Sequence, residues 1–201
     1  MPGEEMYSSV IANPEWAYFE AITPEAYQSA WNCEIRGMMI QNLFQHSRVG
    51  QLQKKQKSDR LFSRELHVRS LATCVLYDNQ PGPYSTGDVT PSFQLRDIRK
   101  QLNLNKAVFH GYWIDPVAQS APKVEVSWYK LDKSAPYTHL FCVVNTGRKT
   151  VAVNLKFDWK KLNIAPAAQF RDLWTNKVYS SSELARTKLA GHNFMLLVPV
   201  K

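Results

Sequence analysis

The chain has 201 residues, 44% of them hydrophobic and 21% charged, which is too short for a complete (β/α)₈ barrel of about 250 residues and unlike disordered or fibrous sequences. Its net charge of +8 is uneven: residues 1–47 carry six acids and one base, residues 48–72 seven bases and two acids, and residues 106–201 fourteen bases and six acids. No apolar run approaches the roughly 20 residues of a membrane-spanning helix, no secretory signal follows Met1, and Cys33, Cys74 and Cys142 are too scattered for a disulfide framework or a CxxC knuckle, so the compartment stays open.

Thr23, Pro24 and Glu25 read as an N-cap, a proline at the first helical position and an acid in the first turn, and Gly37 as a stop. The helix expected from Pro24 to Arg36 would bury Ala26, Tyr27, Ala30, Trp31 and Ile35 as one stripe, and Met38 to Phe44 is read as a second short helix. Arg48, Lys54, Lys55, Lys57, Arg60 and Arg64 form a compact basic stretch without the interleaved aromatics on which single strands stack, and it reads as a solvated linker and helix start. Ser58 caps the next helix, Asp59 to Tyr77, whose inner face is Leu61, Val68, Leu71, Ala72, Val75 and Leu76. Three prolines and two glycines make Asp78 to Pro91 a loop, followed by a third helix, Ser92 to Leu102, with Phe93, Ile98 and Leu102 inward.

From Lys106 the apolar period changes from about 3.6 to 2. Strands are expected at Val108–Ile114 and over three alternating rows: Val124, Val126 and Trp128; Leu140, Cys142 and Val144; and Val151, Val153, Leu155 and Phe157, with Asn145, Thr146 and Gly147 as a hairpin between the last two. Ala167–Leu173, Leu184–Leu189 and Asn193–Val198 complete about seven antiparallel strands, the size of a β-sandwich. The expected fold class is α+β: a helical region over residues 1–105 and an antiparallel β-sandwich over residues 106–201.

Chemistry-bearing residues are sparse. A glycosidase needs two carboxyl groups about 5–10 Å apart, and Glu4, Glu5, Asp78, Asp88 and Asp115 lie in loops or at element ends where they could line a cleft. His46 beside Ser47, and His67, have no triad spacing, and GxSxG, Walker and GxGxxG motifs are absent. The five histidines stand at least 21 residues apart, so neither a metal nor any other cofactor is expected. Tyr112 with Trp113, and Trp128 with Tyr129, would each place one aromatic ring on either face of a strand. One ring of each pair belongs in the core, and its partner becomes a candidate for stacking on the C–H face of a sugar.

The stretches Lys123–Tyr129, Leu140–Asn145, Phe170–Lys177 (Phe-Arg-Asp-Leu-Trp-Thr-Asn-Lys) and Gly191–Val200 resemble the β-sandwich that closes many glycoside hydrolases of the α-galactosidase-like barrel type. Gly3-Glu4-Glu5, Ile22 to Tyr27 and Glu34 to Gly37 look like the last barrel strand ends and helices of such proteins, with Arg69 to Ala72, Tyr77 and Asp78 leading out of the barrel. The resemblance implies that Glu4 lies near a catalytic mouth; from the reading of the residues, Asp78 and Asp88 are the further candidate carboxylates and Tyr112, Trp113, Trp128 and Tyr129 the candidate sugar contacts. The family's catalytic carboxylates come mainly from earlier barrel strands that these residues do not contain. It therefore implies a C-terminal part that supports carbohydrate processing without turnover of its own, partnered by the rest of a longer polypeptide or by a second copy. The alternatives are a stand-alone carbohydrate-binding or adhesion module and, third, a basic nucleic-acid binder.

Overall fold

A computed structural model describes residues 24–25, 28–29, 38–39, 59–81 and 90–200. The backbone divides into two compact units, Met1–Phe93 and Gln94–Lys201. Leu61's side chain, residues 40–44, Cys33 and most of the basic stretch from Arg48 lie outside the described residues.

In the first unit, residues 24, 25, 28 and 29 are helical, as the Thr23-Pro24-Glu25 start requires. Met38–Met39 is not the beginning of a helix but a short strand, β1, which pairs in parallel with β2, Gln80–Pro81. Long-range pairing decides this segment, because two methionines after a glycine carry no strong local preference. Helix α1 spans Asp59–Tyr77, the range expected from its cap and periodicity. Every residue from Leu71 to Tyr77 is buried, so this end of the helix is enclosed all round rather than along one stripe. His67 is buried there and its Nε2 lies 2.5 Å from the Ser92 hydroxyl. Cys74, like Cys142 in the second unit, is a buried free thiol.

Helix α2, Thr90–Gln101, begins two residues earlier than expected and ends one residue earlier. Its buried line is Leu95, Ile98 and then Leu102 just beyond it, a spacing of three and four, whereas Phe93 is 48% exposed. Phe93 falls off that line, so the inward assignment expected for it is corrected in favour of Leu95. A 3₁₀ turn, Leu104–Lys106, leads to the sheet.

Strands β3 (Val108–His110), β5 (Val124–Lys130), β6 (His139–Asn145), β9 (Gln169–Asp172), β10 (Val178–Ser180) and β12 (Phe194–Val200) form one antiparallel sheet in the order β10-β9-β12-β6-β5-β3. The fold is α+β. Cross-strand partners share a face. The rows His110–Trp128–Phe141–Leu197 and Val126–Val143–Met195 therefore lie on one side of the sheet. That side closes over Val117, Val153, Leu155, Leu162, Leu184 and Leu189. These come from a second layer of short pieces: β4 (Ala118–Gln119) paired with β8 (Lys156–Phe157), β7 (Val151–Ala152) paired with β11 (Lys188–Leu189), α3 (Trp159–Leu162), α4 (Ser181–Arg186) and their connections. Phe141, fully buried among Phe157 and Phe170 with ring centroids 4.5 and 6.3 Å away, centres this core. Burying a ring of that size stabilises by about 2–3 kcal/mol.

The opposite face, with Tyr129, Leu140, Cys142, Val144, Phe194 and Leu196, is buried as well. Strand β6 is thus inside along its whole length, and the row Leu140, Cys142 and Val144 faces away from the second layer while Phe141 and Val143 face it. The expected third row is broken by Asn154, whose φ of 49° is left-handed, into β7 and β8. Asn145–Gly147 is not a hairpin to β7: β6 pairs with β5 and β12, and β7 with β11. Asn145 instead is fully buried, its Nδ2 within 2.8–3.1 Å of the carbonyls of Lys149, Leu189 and Ala190 and its Oδ1 accepting from Gly147 N at 3.0 Å. It ties the end of the sheet to the second layer. Residues 184–186, expected as the start of a strand over Leu184–Leu189, belong instead to α4 (Ser181–Arg186), because Ser180 and Glu183 make a reciprocal capping box.

Candidate functional site

The edge strand β3 has three residues rather than seven, and its end builds the most distinctive polar cluster of the second unit. Phe109 points to the same face as Tyr129, their centroids 5.0 Å apart, while His110 lies flat on Trp128 at 3.8 Å with ring planes 6° apart. The chain then turns. Gly111 O accepts from both Ile114 N and Asp115 N at 3.0 Å, so Tyr112 and Trp113 sit on a closed turn and not on a strand as expected. A Cβ on Gly111 would meet the Trp113 ring at 2.5 Å, so only glycine leaves the indole its seat. Tyr112 is edge-on to Trp113 at 5.2 Å and its N–H donates to Ser127 Oγ at 3.2 Å.

Asp115 closes the turn from the far end. Its Oδ2 accepts from His110 Nδ1 at 3.0 Å and its Oδ1 from Lys161 Nζ at 2.6 Å. Its carbonyl accepts from Trp128 Nε1 at 3.0 Å. Lys161 is positioned by α3: Asp158 caps that helix by accepting from Lys161 N, the backbone N–H of Asp158 donates to Val117 O, and Lys161 Nζ also donates to Pro116 O. The carboxylate at Nδ1 sets the tautomer of His110, leaving Nε2 as the bare acceptor, and that nitrogen is buried with no hydrogen-bond partner. Burial lowers the pKa of His110, Asp115 opposes the shift, and Lys130 and Lys161 add to it. His139, two strands further in on β6, is lowered by burial and by the same Lys130 and His110.

The other carboxylates of this unit have structural partners or stand alone. Asp172 is buried, its Oδ1 accepting from Trp174 N and Leu196 N at 3.0 Å and its Oδ2 from Thr175 Oγ at 2.6 Å; burial raises its pKa. The Asp-Leu-Trp-Thr stretch noted in the sequence is therefore a turn pinned to β12 through a carboxylate. Asp132 accepts from Ser134 N and Oγ, and Glu183 belongs to the α4 cap. Glu125 on β5 is half-buried, which raises its pKa.

Of the expected catalytic candidates, Glu4 and Asp88 lie outside the described residues. Asp78 lies just after α1 with a left-handed φ of 54°, half-buried in the first unit. Of the four expected sugar contacts, Trp128 and Tyr129 are both buried, on opposite faces of β5, and Tyr112 and Trp113 are half-buried on the turn. The bracket formed by His110 and Asp115 went unread. Its local signal is a histidine and an aspartate on either side of Gly-Tyr-Trp-Ile, but Lys161 reaches it only through the tertiary fold. Among the described residues no three His, Cys, Asp or Glu side chains are grouped to hold a metal ion. No helix among them is long and apolar enough to cross a membrane.

Residues 92–189, from the first turn of α2 to the end of β11, match the family described as Glycoside hydrolase 123, C-terminal domain. The C-terminal region is glycoside-hydrolase-like. Among solved structures, the chain is similar to the crystal structure of beta-galactosidase from Bacillus circulans sp. alkalophilus, with 22% identity, a TM-score of 0.29 and coverage of 44% of this chain. The match spans 10% of that protein's length. No curated protein matches the chain. Within the glycoside-hydrolase-like region the matched span contains β3, the Tyr112–Trp113 turn and Lys161, and stops short of β12, which completes the sheet between β9 and β6.

Proposed function

We propose that this glycoside-hydrolase-like region supports carbohydrate processing within a longer polypeptide without catalysing hydrolysis itself, and that Tyr112 and Trp113 form its saccharide contact. The observation that carries the reading is the division of labour between acids and aromatics. Retaining and inverting glycosidases need two carboxyl groups facing one scissile bond. Here Asp115, Asp132, Asp158, Asp172 and Glu183 are each engaged in a turn, a cap or an ion pair, which leaves Glu125 of β5 and Asp97 of α2 as the acids of this unit outside such ties. Two aromatic rings, by contrast, share one short turn beside exposed Ile114 and polar groups, the combination that meets a sugar's C–H face and its hydroxyls. Trp128 and Tyr129 serve this contact from behind, as the packed floor under His110 and Phe109.

Two measurements test the reading. Incubation of the chain with a panel of aryl glycosides is expected to release no aglycone, and measurable release abolished by substituting an acid of this chain would overturn the non-catalytic part. In native gels cast with a galactan, a xylan or a mannan, at least one polysaccharide is expected to retard the protein, and Tyr112→Ala with Trp113→Ala to remove the retardation. Retardation that survives both substitutions places the contact elsewhere.

A further inference from the structure

We propose that Asp115 is a positioning residue, holding the Tyr112–Trp113 turn in its saccharide-meeting orientation through two tethers, His110 and Lys161. This rests on the reading of that turn as the saccharide contact, and adds what keeps it in place. The geometry singles out Asp115 because its bonds converge from three elements. Its side chain joins His110 at the end of β3 to Lys161 of α3, its carbonyl takes the indole N–H of Trp128 in β5, and its backbone N–H returns to Gly111. Ile114, the immediate neighbour of Asp115 in the turn, is 54% exposed. Without the carboxylate, the backbone bonds to Gly111 and Trp128 remain, and the turn loses its side-chain ties to β3 and α3.

The two tethers differ in kind. Lys161 ties the carboxylate from α3 as an ion pair, whereas His110 takes up its second proton only below the ordinary histidine range, because burial lowers its pKa. The groups facing His110 are Asp115 across the turn, Lys161 from α3, Lys130 and Trp128 from β5, and His139 from β6. Asp115 favours the imidazolium; the two lysines oppose it. Protonation puts its new proton on Nε2, which is buried without an acceptor. Acid therefore favours release of the imidazole from its seat on Trp128 and removes one tether, so the turn is held more firmly at neutral pH than in acid.

Trp113 can be watched directly. The chain contains six tryptophans, so labelling the full chain with 5-fluorotryptophan gives six ¹⁹F signals, and the Trp113 signal is assigned from Trp113→Phe. Lowering the pH below the ordinary histidine range is expected to shift this signal in the wild type. In His110→Gln the shift with pH disappears, and in Asp115→Asn the signal is displaced at neutral pH while that of Trp174, at the Asp172 turn, keeps its position. Lys161→Gln, a milder change, is expected to displace it part of the way. In the polysaccharide gels, Asp115→Asn is expected to weaken retention about tenfold. A Trp113 signal and a retention that are both unchanged in Asp115→Asn would overturn the positioning role while leaving the saccharide contact standing. Retention unaffected by Trp113→Ala would overturn the contact, and the role of Asp115 with it, whatever the ¹⁹F signals do.

Discussion

Asp172 and Asp115 both hold a turn against the same sheet, and they do it in opposite ways. Asp172 is 1% exposed and its acceptors are filled by two backbone N–H groups and a hydroxyl. Asp115 is 28% exposed at its side chain, and its partners are the side chains of a histidine and a lysine. Backbone donors cannot change charge, so at the Asp172 turn the charge of the partners is fixed and only the buried carboxyl itself takes up a proton. The Asp115 turn is held by side chains that can be substituted singly, one of them a histidine whose pKa burial lowers and whose Nε2 is left buried and unsatisfied. One end of the sheet is built to stay closed, and the other keeps aromatic rings near the surface at the cost of a weaker hold. This contrast separates the part of the molecule that maintains the fold from the turn proposed as the saccharide contact.

The largest effect is expected where the fixed end is broken. Asn145→Asp replaces an amide donor surrounded by three carbonyls with an acceptor, and leaves a buried charge facing them; the loss is expected to reach roughly 4 kcal/mol or more, read as failure to give a cooperative urea transition. Asp172→Ala leaves the N–H groups of Trp174 and Leu196 without their acceptor and is expected to cost about 3 kcal/mol in the same measurement, while Asp172→Asn, which keeps one acceptor oxygen, costs distinctly less.

The pH dependence of Asp172 runs against the usual carboxylate. Its pKa is raised by burial, so between the ordinary carboxylate value and the raised one the folded chain holds more protons than the unfolded chain. Its contribution makes stability fall as pH rises through that window and level off above it, and Asp172→Asn removes that slope. Gly191→Ala would bring a Cβ to 2.0 Å from Arg148 O, and an expected loss of about 2 kcal/mol follows from displacing backbone.

At the tunable end the effects on stability are smaller. His110 and His139 both have lowered pKa values, so below the ordinary histidine range the unfolded chain takes up protons that the folded chain refuses. Their contribution to stability is complete at neutral pH and declines as pH falls toward their folded values. His110→Gln should remove part of that decline and leave the part due to His139. Gly111→Ala, which pushes the Trp113 ring from its seat, is expected to change the urea midpoint least of all and to abolish polysaccharide retention. Equal losses of stability and retention across these variants would erase the distinction between the two ends.

Much of this architecture is legible in the residues. Ser58 and an apolar spacing of three and four mark α1 over its full length, and the change of period near Lys106 marks the passage from helices to sheet. What escapes has physical causes. Strand β6 is buried on both faces, so its run Leu-Phe-Cys-Val-Val carries no alternation from which to choose an inner row. The Ser180-x-x-Glu183 box outweighs the strand-like leucines that follow it. Gly111 ends β3 early because its carbonyl serves two turn N–H groups, which places Tyr112 and Trp113 on a turn. The joining of His110, Asp115 and Lys161 spans 51 residues of chain and exists only once the second layer folds over the sheet.

The most direct measurement is the retention of the full chain in polysaccharide gels, wild type beside Tyr112→Ala and Trp113→Ala, with Asp172→Asn as the control at the fixed end. Retention lost in the two aromatic variants and kept in Asp172→Asn is the predicted result. Retention that persists in both aromatic variants, or that no galactan, xylan or mannan produces in the wild type, would contradict the claim that this glycoside-hydrolase-like region meets saccharide through the turn after β3.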